Sequence, residues 1–167
     1  NVSGGILAET FEGDVTVENS SGQISLKTTT GNIVAFGVSP GQVGDIFKAS
    51  TSNGLITLQN VDHRQIDANS VTGDLLFDGN FLSGGIYTFK TSDGAIRLVL
   101  PKESSFRMVA WYGFGMIEPE FAMKTLQSDV SPGGKRLIAS VGDADATVNL
   151  TTTRGRISIA KQASEKP

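Results

Sequence analysis

In the stretch SGGILAETFEGDVTVENSSGQISLKTTTGNIVAFG (3–37), glycines fall at 4, 13, 22 and 31, nine residues apart each time. Two and four places after each one stands an apolar or small residue: Ile6 and Ala8, Val15 and Val17, Ile24 and Leu26, Ile33 and Ala35. Alternation with period two turns every second side chain to one face of an extended strand. Each unit therefore reads as a short strand with one buried face, opened by a glycine turn. A fixed internal period constrains the fold before any other feature does, because successive units must bury one another's apolar rows.

The frame runs the length of the chain. Two places after Gly54, Gly73, Gly84, Gly94, Gly115 and Gly155 stand Ile56, Leu75, Ile86, Ile96, Ile117 and Ile157, all expected to face inward. Seven and five places before five of these glycines stand Phe47 and Ala49, Ile66 and Ala68, Tyr87 and Phe89, Met108 and Ala110, and Val148 and Leu150. Ala146 and Ile159 join the inward set in the last segment. Ser3, Ser21, Thr30, Asn53, Thr72, Ser83 and Asp93 directly precede a glycine. Such side chains bond local backbone while glycine supplies positive φ, which is turn chemistry. No stripe of period 3.6 with caps occurs, so helix content is expected to be minimal.

Two all-β architectures satisfy this pattern. In a β-solenoid, two strands and two turns make a coil of about twenty residues, and the coils stack. In an antiparallel sandwich, SNG and SDG would be hairpin turns. Identical register around every glycine favours the solenoid, since sandwich turns vary in length and type. The beat fails in three places. FGVSPGQVGD (36–45) reads as a Gly/Pro loop, and VLPKESSFR (99–107) carries Pro101, which suits a corner between coils. The excursion 118–145 is expected to hold a strand pair around SPGG that lies against the end of the stack, where an open apolar face needs cover.

Composition narrows the function. The 167 residues fit one domain, read as 1–160 followed by a polar tail at 161–167. Twenty glycines against five prolines agree with many tight turns. The absence of Cys excludes disulfides, thiol chemistry and Cys-ligated zinc. A net charge of −3 with scattered signs leaves no basic stripe for phosphates, so no nucleic-acid partner is expected. No apolar run approaches the roughly 18 to 20 residues of a membrane span, so membrane contact is expected only through an anchor outside this chain. Asn1 does not begin a signal peptide, and the chain reads as a mature fragment whose leader or anchor has been removed.

The segments TTTGNIVAF, TSNGLITLQNV, SVTGDLLFDG and TSDGAIRLVLPKESSFRMVA, closed by KRLIASVGDADATVNLTTTRGRISIA, resemble the bacterial "adhesin" β-strand repeat, or toast-rack, domain. The resemblance covers nearly the whole chain and is most specific in its last third. It implies an all-β fold: a right-handed, single-stranded β-helix-like solenoid with about two strands per coil and a non-repeating excursion near the C-terminus. It also implies an extracytoplasmic place in the bacterial cell envelope, periplasmic, surface-bound or secreted. Some members are linked to envelope-stress sensing. Two departures stand out: AWYGFGMI replaces the usual Thr/Ser-Gly turn, and GDADAT replaces a glycine-rich stretch before the final strand.

Specific chemistry is sparse. A calcium β-roll needs stacked acidic oxygens, yet among ten residues following the frame glycines only Asp14 and Asp74 are acidic. Asp62, His63 and Asp67 lie close in sequence, and Asp143 and Asp145 alternate; a glycosidase would need two such carboxyls about 5 to 9.5 Å apart in a groove. His63, the single His, stands in NVDHRQ and reads as a solvated turn residue. Neither a nucleophile elbow nor a phosphate loop is present. Trp111, Tyr112 and Phe114 form the candidate binding patch, because exposed aromatics stack on sugars or anchor proteins. The frame turns Ala110 in and Trp111 out, with Tyr112 and Phe114 at the corner; the 118–145 excursion could instead fold over all three. The outward residues Thr16, Ser25, Thr57, Thr147, Asn149 and Thr151 suit stacking and solubility as well as weak binding. Asn1, Asn19 and Asn149 fall in N-x-[ST] sequons at chance frequency. The sequence thus points to a non-enzymatic module with no cofactor or metal and a glycan or envelope protein as partner. A carbohydrate-active enzyme and an envelope-stress sensor are the alternatives. Recognition is expected where the beat fails, at 36–45, 111–114 and 118–145.

Overall fold

A computed structural model describes residues 2–162; residues 163–167, most of the expected polar tail, and Asn1 with its sequon lie outside the described residues. Sixteen strands run in chain order: β1 (Ile6–Glu12), β2 (Val15–Glu18), β3 (Ile24–Thr30), β4 (Ile33–Val38), β5 (Ile46–Asn53), β6 (Ile56–Val61), β7 (Gln65–Thr72) and β8 (Leu75–Asp78), then β9 (Ile86–Asp93), β10 (Ile96–Leu100), β11 (Phe106–Phe114), β12 (Ile117–Pro119), β13 (Lys124–Ser131), β14 (Gly134–Val141), β15 (Ala146–Arg154) and β16 (Ile157–Lys161). Lys161, expected to open the tail, is instead the last residue of a strand. Among the described residues there is no helix, hence none that could cross a membrane.

The strands form two facing sheets. One has nine strands in the order β1-β3-β5-β7-β9-β15-β11-β14-β13, and the other seven in the order β12-β16-β10-β8-β6-β4-β2. Every pairing is parallel except those made by β14. That is a stack of two-strand coils and excludes the antiparallel sandwich. Alternate side chains fill the space between the sheets. Ile24, Phe47, Ile66 and Tyr87 form one continuous row, each at most 1% exposed. An aromatic cluster of Phe77, Phe81, Tyr87, Phe89 and Phe106 occupies the middle of the stack. Fully burying such side chains stabilises by roughly 1.5–3 kcal/mol each.

The true repeat is the coil, and its two corners differ. Paired positions Ile6, Ile24, Phe47, Ile66 and Tyr87 are 18, 23, 19 and 21 residues apart. The corner holding the frame glycine stays constant; the opposite one absorbs the difference, from 62–64 to the longer 39–45 and 79–85. The opening nine-residue beat is therefore two corners of one 18-residue coil. The Gly/Pro loop expected at 36–45 begins later than the sequence indicates, since Phe36, Gly37 and Val38 still belong to β4.

Backbones pass so closely at the constant corner that a Cβ on Gly54 would collide with the carbonyl oxygen of Gly31. Three residues before that glycine, a buried hydroxyl bridges to the previous coil. Thr28 donates to Gly13 O at 3.0 Å, Thr51 to Gly31 O at 3.0 Å, Ser70 to Gly54 O at 3.2 Å and Thr91 to Gly73 O at 2.9 Å. The repeated Thr/Ser is thus a satisfied core group linking coil to coil.

Two features depart from the sequence reading. Ile86 is 50% exposed although it follows Gly84 by two. Tyr87 and Phe89 take the inward phase, and a strand of period two cannot bury both adjacent positions. Second, the last coil is not at the end. β15 lies between β9 and β11, and β16 between β10 and β12, so the C-terminal coil is intercalated into the stack. The excursion holds the expected strand pair around SPGG: β13 and β14 form an antiparallel hairpin that extends the nine-stranded sheet past β11.

Candidate binding surfaces

The acidic corner residues serve the backbone. Asp14 Oδ1 accepts the Asn32 N–H at 2.8 Å, Asn32 Oδ1 accepts the Leu55 N–H at 2.9 Å, and Asp74 Oδ1 accepts the Ala95 N–H at 2.7 Å. Each oxygen points to the next coil instead of gathering around a cation. Among the described residues, no group of three or more His, Asp or Glu is placed to hold a metal.

His63 corrects the expectation of a solvated turn residue, being 0% exposed. Its Nε2 lies 2.7 Å from the Gly22 carbonyl oxygen and its ring 5.7 Å from that of Phe47. A carbonyl can only accept, so Nε2 carries the proton. Nδ1 is buried with no partner among the described residues. Burial lowers the pKa below the usual 6.5, opposed by the Gly22 bond and by Asp45 and Asp62. The alternation of β6 shifts by one residue at Asn60, which is exposed and takes φ +53°, so Val61 and then His63 face inward across the shortest corner. Asp62 and Asp67 are both exposed, Asp67 opposite Lys48 and Thr88 on the outer face of β7. The Asp62, His63 and Asp67 group is therefore split between surface and core. Asp143 and Asp145 lie in the turn between β14 and β15 and not along one strand face.

The three aromatics also separate. Trp111 is half-buried on the outer face of β11, opposite Arg136 and Thr151. Its ring lies against Gly134, where an added Cβ would stand 2.9 Å from Trp111 Cζ2. Tyr112 turns to the other face, packs against the core, and has Lys135 Nζ 5.9 Å from its ring centroid. Phe114 ends β11 and is 77% exposed. The hairpin flanks the first two as an added part of the sheet and leaves Phe114 free.

A feature that sequence reasoning missed lies on the outer face of the seven-stranded sheet. A groove of about 430 Å³ has Leu55, Leu76 and Ala95 on its apolar lining, with Arg97 and Arg156 at one side. Its carboxylate, Asp74, is the one that holds the Ala95 N–H. The residues come from four coils, and Arg156 stands near Arg97 because β16 is inserted beside β10. Linear spacing could not reveal that neighbourhood. A smaller concavity of about 290 Å³ lies under the loop 40–45, where Asp45 Oδ2 accepts the Gly41 and Gln42 N–H groups at 2.8 and 3.0 Å.

Compared with known proteins, residues 2–160 match the model of one family, described as Toastrack DUF4097, a domain of unknown function. The chain matches no curated protein and no solved structure.

Proposed function

This chain belongs to the Toastrack family, and from that premise we propose a non-enzymatic extracytoplasmic binding module, an adhesin-type domain presenting a surface to a glycan or protein partner. The groove on the seven-stranded sheet carries this reading. Its apolar floor offers contact area, and the guanidinium groups of Arg97 and Arg156 favour an acidic ligand, Arg156 exchanging for it an exposed 3.5 Å ion pair with Glu118. A glycosidase would need two carboxyl groups facing each other about 5 to 9.5 Å apart. The groove instead supplies cations, and its one carboxylate already holds a backbone N–H.

Titration of the purified domain against acidic and neutral glycans and acidic peptides tests this reading. Arg97→Glu with Arg156→Glu is expected to weaken binding of the acidic ligand about tenfold or more, while Phe114→Ala leaves it unchanged. The reverse pattern would move the site to the corner at Phe114. Fractionation of cells producing the natural protein is expected to recover the domain outside the cytoplasm; wholly cytoplasmic protein would refute the localisation.

A further inference from the structure

The two ends of the stack are unlike. At the end formed by β11, β12 and the hairpin, Phe121 is 6% exposed and meets Phe106 edge-on at 6.0 Å, with Lys161 Nζ 5.4 Å over its ring. At the other end the first coil covers nothing beyond itself. Ile6, Ala8 and Val15 are only partly buried and, with Leu7, line an open concavity of about 810 Å³; Leu7 and Phe11 are 83% and 73% exposed. Thr10 holds the position from which inner coils donate to the preceding glycine carbonyl. Here its hydroxyl turns back to Glu12 O at 2.9 Å.

The edge of β1 is open to pairing. The Ile6 N–H donates to Gln23 O across to β3, so the N–H and C=O groups of Leu7, Glu9 and Phe11 point to the free side. β1 contains no Pro, Lys, Arg or bulge to blunt that edge. The first coil carries Glu9, Glu12, Asp14 and Glu18 and no Lys or Arg; Lys27 of β3 pairs with Glu9 at 3.0 Å, which leaves Glu12, Asp14 and Glu18 as its excess negative charge.

The opposite edge complements it. Because the chain reverses into β14 and again into β13, β13 regains the direction of β1. Its hairpin carries Lys124, Lys135 and Arg136 against one Asp129, and exposes Leu126 and Val130 at 50% and 75%. The bulge between Thr125 and Gln127 leaves Gln127–Ser131 running on regularly.

We propose that a second copy of this chain docks head to tail, its β13 edge adding in parallel along β1 and its basic hairpin meeting the acidic first coil. Pairing β1 with β1 would set acid against acid; β13 brings opposite charge and the polarity that continues the sheet. Such a contact uses two different surfaces and does not close, so it builds linear assemblies.

Analytical ultracentrifugation of the purified chain over a concentration series tests this. Reversible growth to dimers and longer species is expected. Glu9→Lys with Glu12→Lys, or Lys135→Glu with Arg136→Glu, should each weaken it about tenfold or more. A chain carrying both reversals should associate again. Leu7→Pro, which removes a free N–H without breaking a β1–β3 hydrogen bond, should abolish association while circular dichroism stays that of the folded chain. Leu7→Ala, which removes the side chain but keeps the N–H, should leave association largely intact. A protein monomeric at every concentration overturns the proposal. So does association that responds to the β1 reversal but not the hairpin reversal, which would indicate β1–β1 pairing.

Discussion

At Gly54 the backbone takes φ +156° and lies against the Gly31 carbonyl, a place where any Cβ would have to push two coils apart. Gly54→Ala is therefore expected to cost about 3 kcal/mol or more. Gly133→Ala, where nothing lies within 4 Å, should stay within about 0.5 kcal/mol. Urea unfolding of the two variants makes the comparison. His63 sets a second residue-scale expectation. Its folded-state pKa is lowered below 6.5 by burial, so below 6.5 the unfolded chain binds the proton more readily than the folded one. The stability attached to neutral His63 is complete above 6.5 and declines as pH falls below it. Unfolding midpoints of wild type and His63→Gln, taken above and below 6.5, should show the wild type losing ground to the variant on the acid side. A constant difference would contradict it. Both residues carry marks in the sequence, since Gly54 keeps the frame and His63 keeps the phase of Val61. Only the first is readable without coordinates, because a polar type in a polar run outweighs parity.

Among the elements, β15 and β13 make the sharpest contrast. β15 is paired on both sides, with β9 and β11, and its Arg154 reaches Asp93 at 2.7 Å. β13 has one partner, and all eight of its residues are exposed. Protection from exchange follows burial and pairing rather than distance from a chain end. Hydrogen exchange should therefore show β15 amides as slow as those of β5 and β7, and β13 amides the fastest of any strand in the nine-stranded sheet. Fast exchange throughout β15 would mean that the last coil is not seated within the stack. The hairpin around SPGG was legible from its turn residues, whereas the intercalation of β15 was not. Parallel strands with the same apolar alternation fit beside β9 in either order, and the choice is made by packing across coils.

For the whole molecule, charge is divided between the ends while the net value stays at −3. Contacts between exposed charges are screened within about 8 to 10 Å at physiological to moderate salt. Head-to-tail association should accordingly weaken as salt rises, read as a falling average mass in the same sedimentation series. Assembly that strengthens with salt would point to an apolar contact dominated by Leu7 and Phe11. Binding in the groove is a separate matter, since Arg97 and Arg156 lie on the outer face of the other sheet, away from both edges of the nine-stranded one.

The glycine frame by itself determined an all-β chain of short strands with one buried face and favoured a stack of two-strand coils over a sandwich, because one alternation repeated in one register can be buried in few ways. The parallel pairing decided between them. It also set which side chains face inward along nearly every strand. The tertiary structure alone decided the order of the last coils, the burial of His63, the separation of Trp111 from Phe114 and the meeting of Arg97 with Arg156. Each depends on which coil lies beside which, and neighbourhood across coils is fixed by close packing and backbone pairing between segments far apart in the chain.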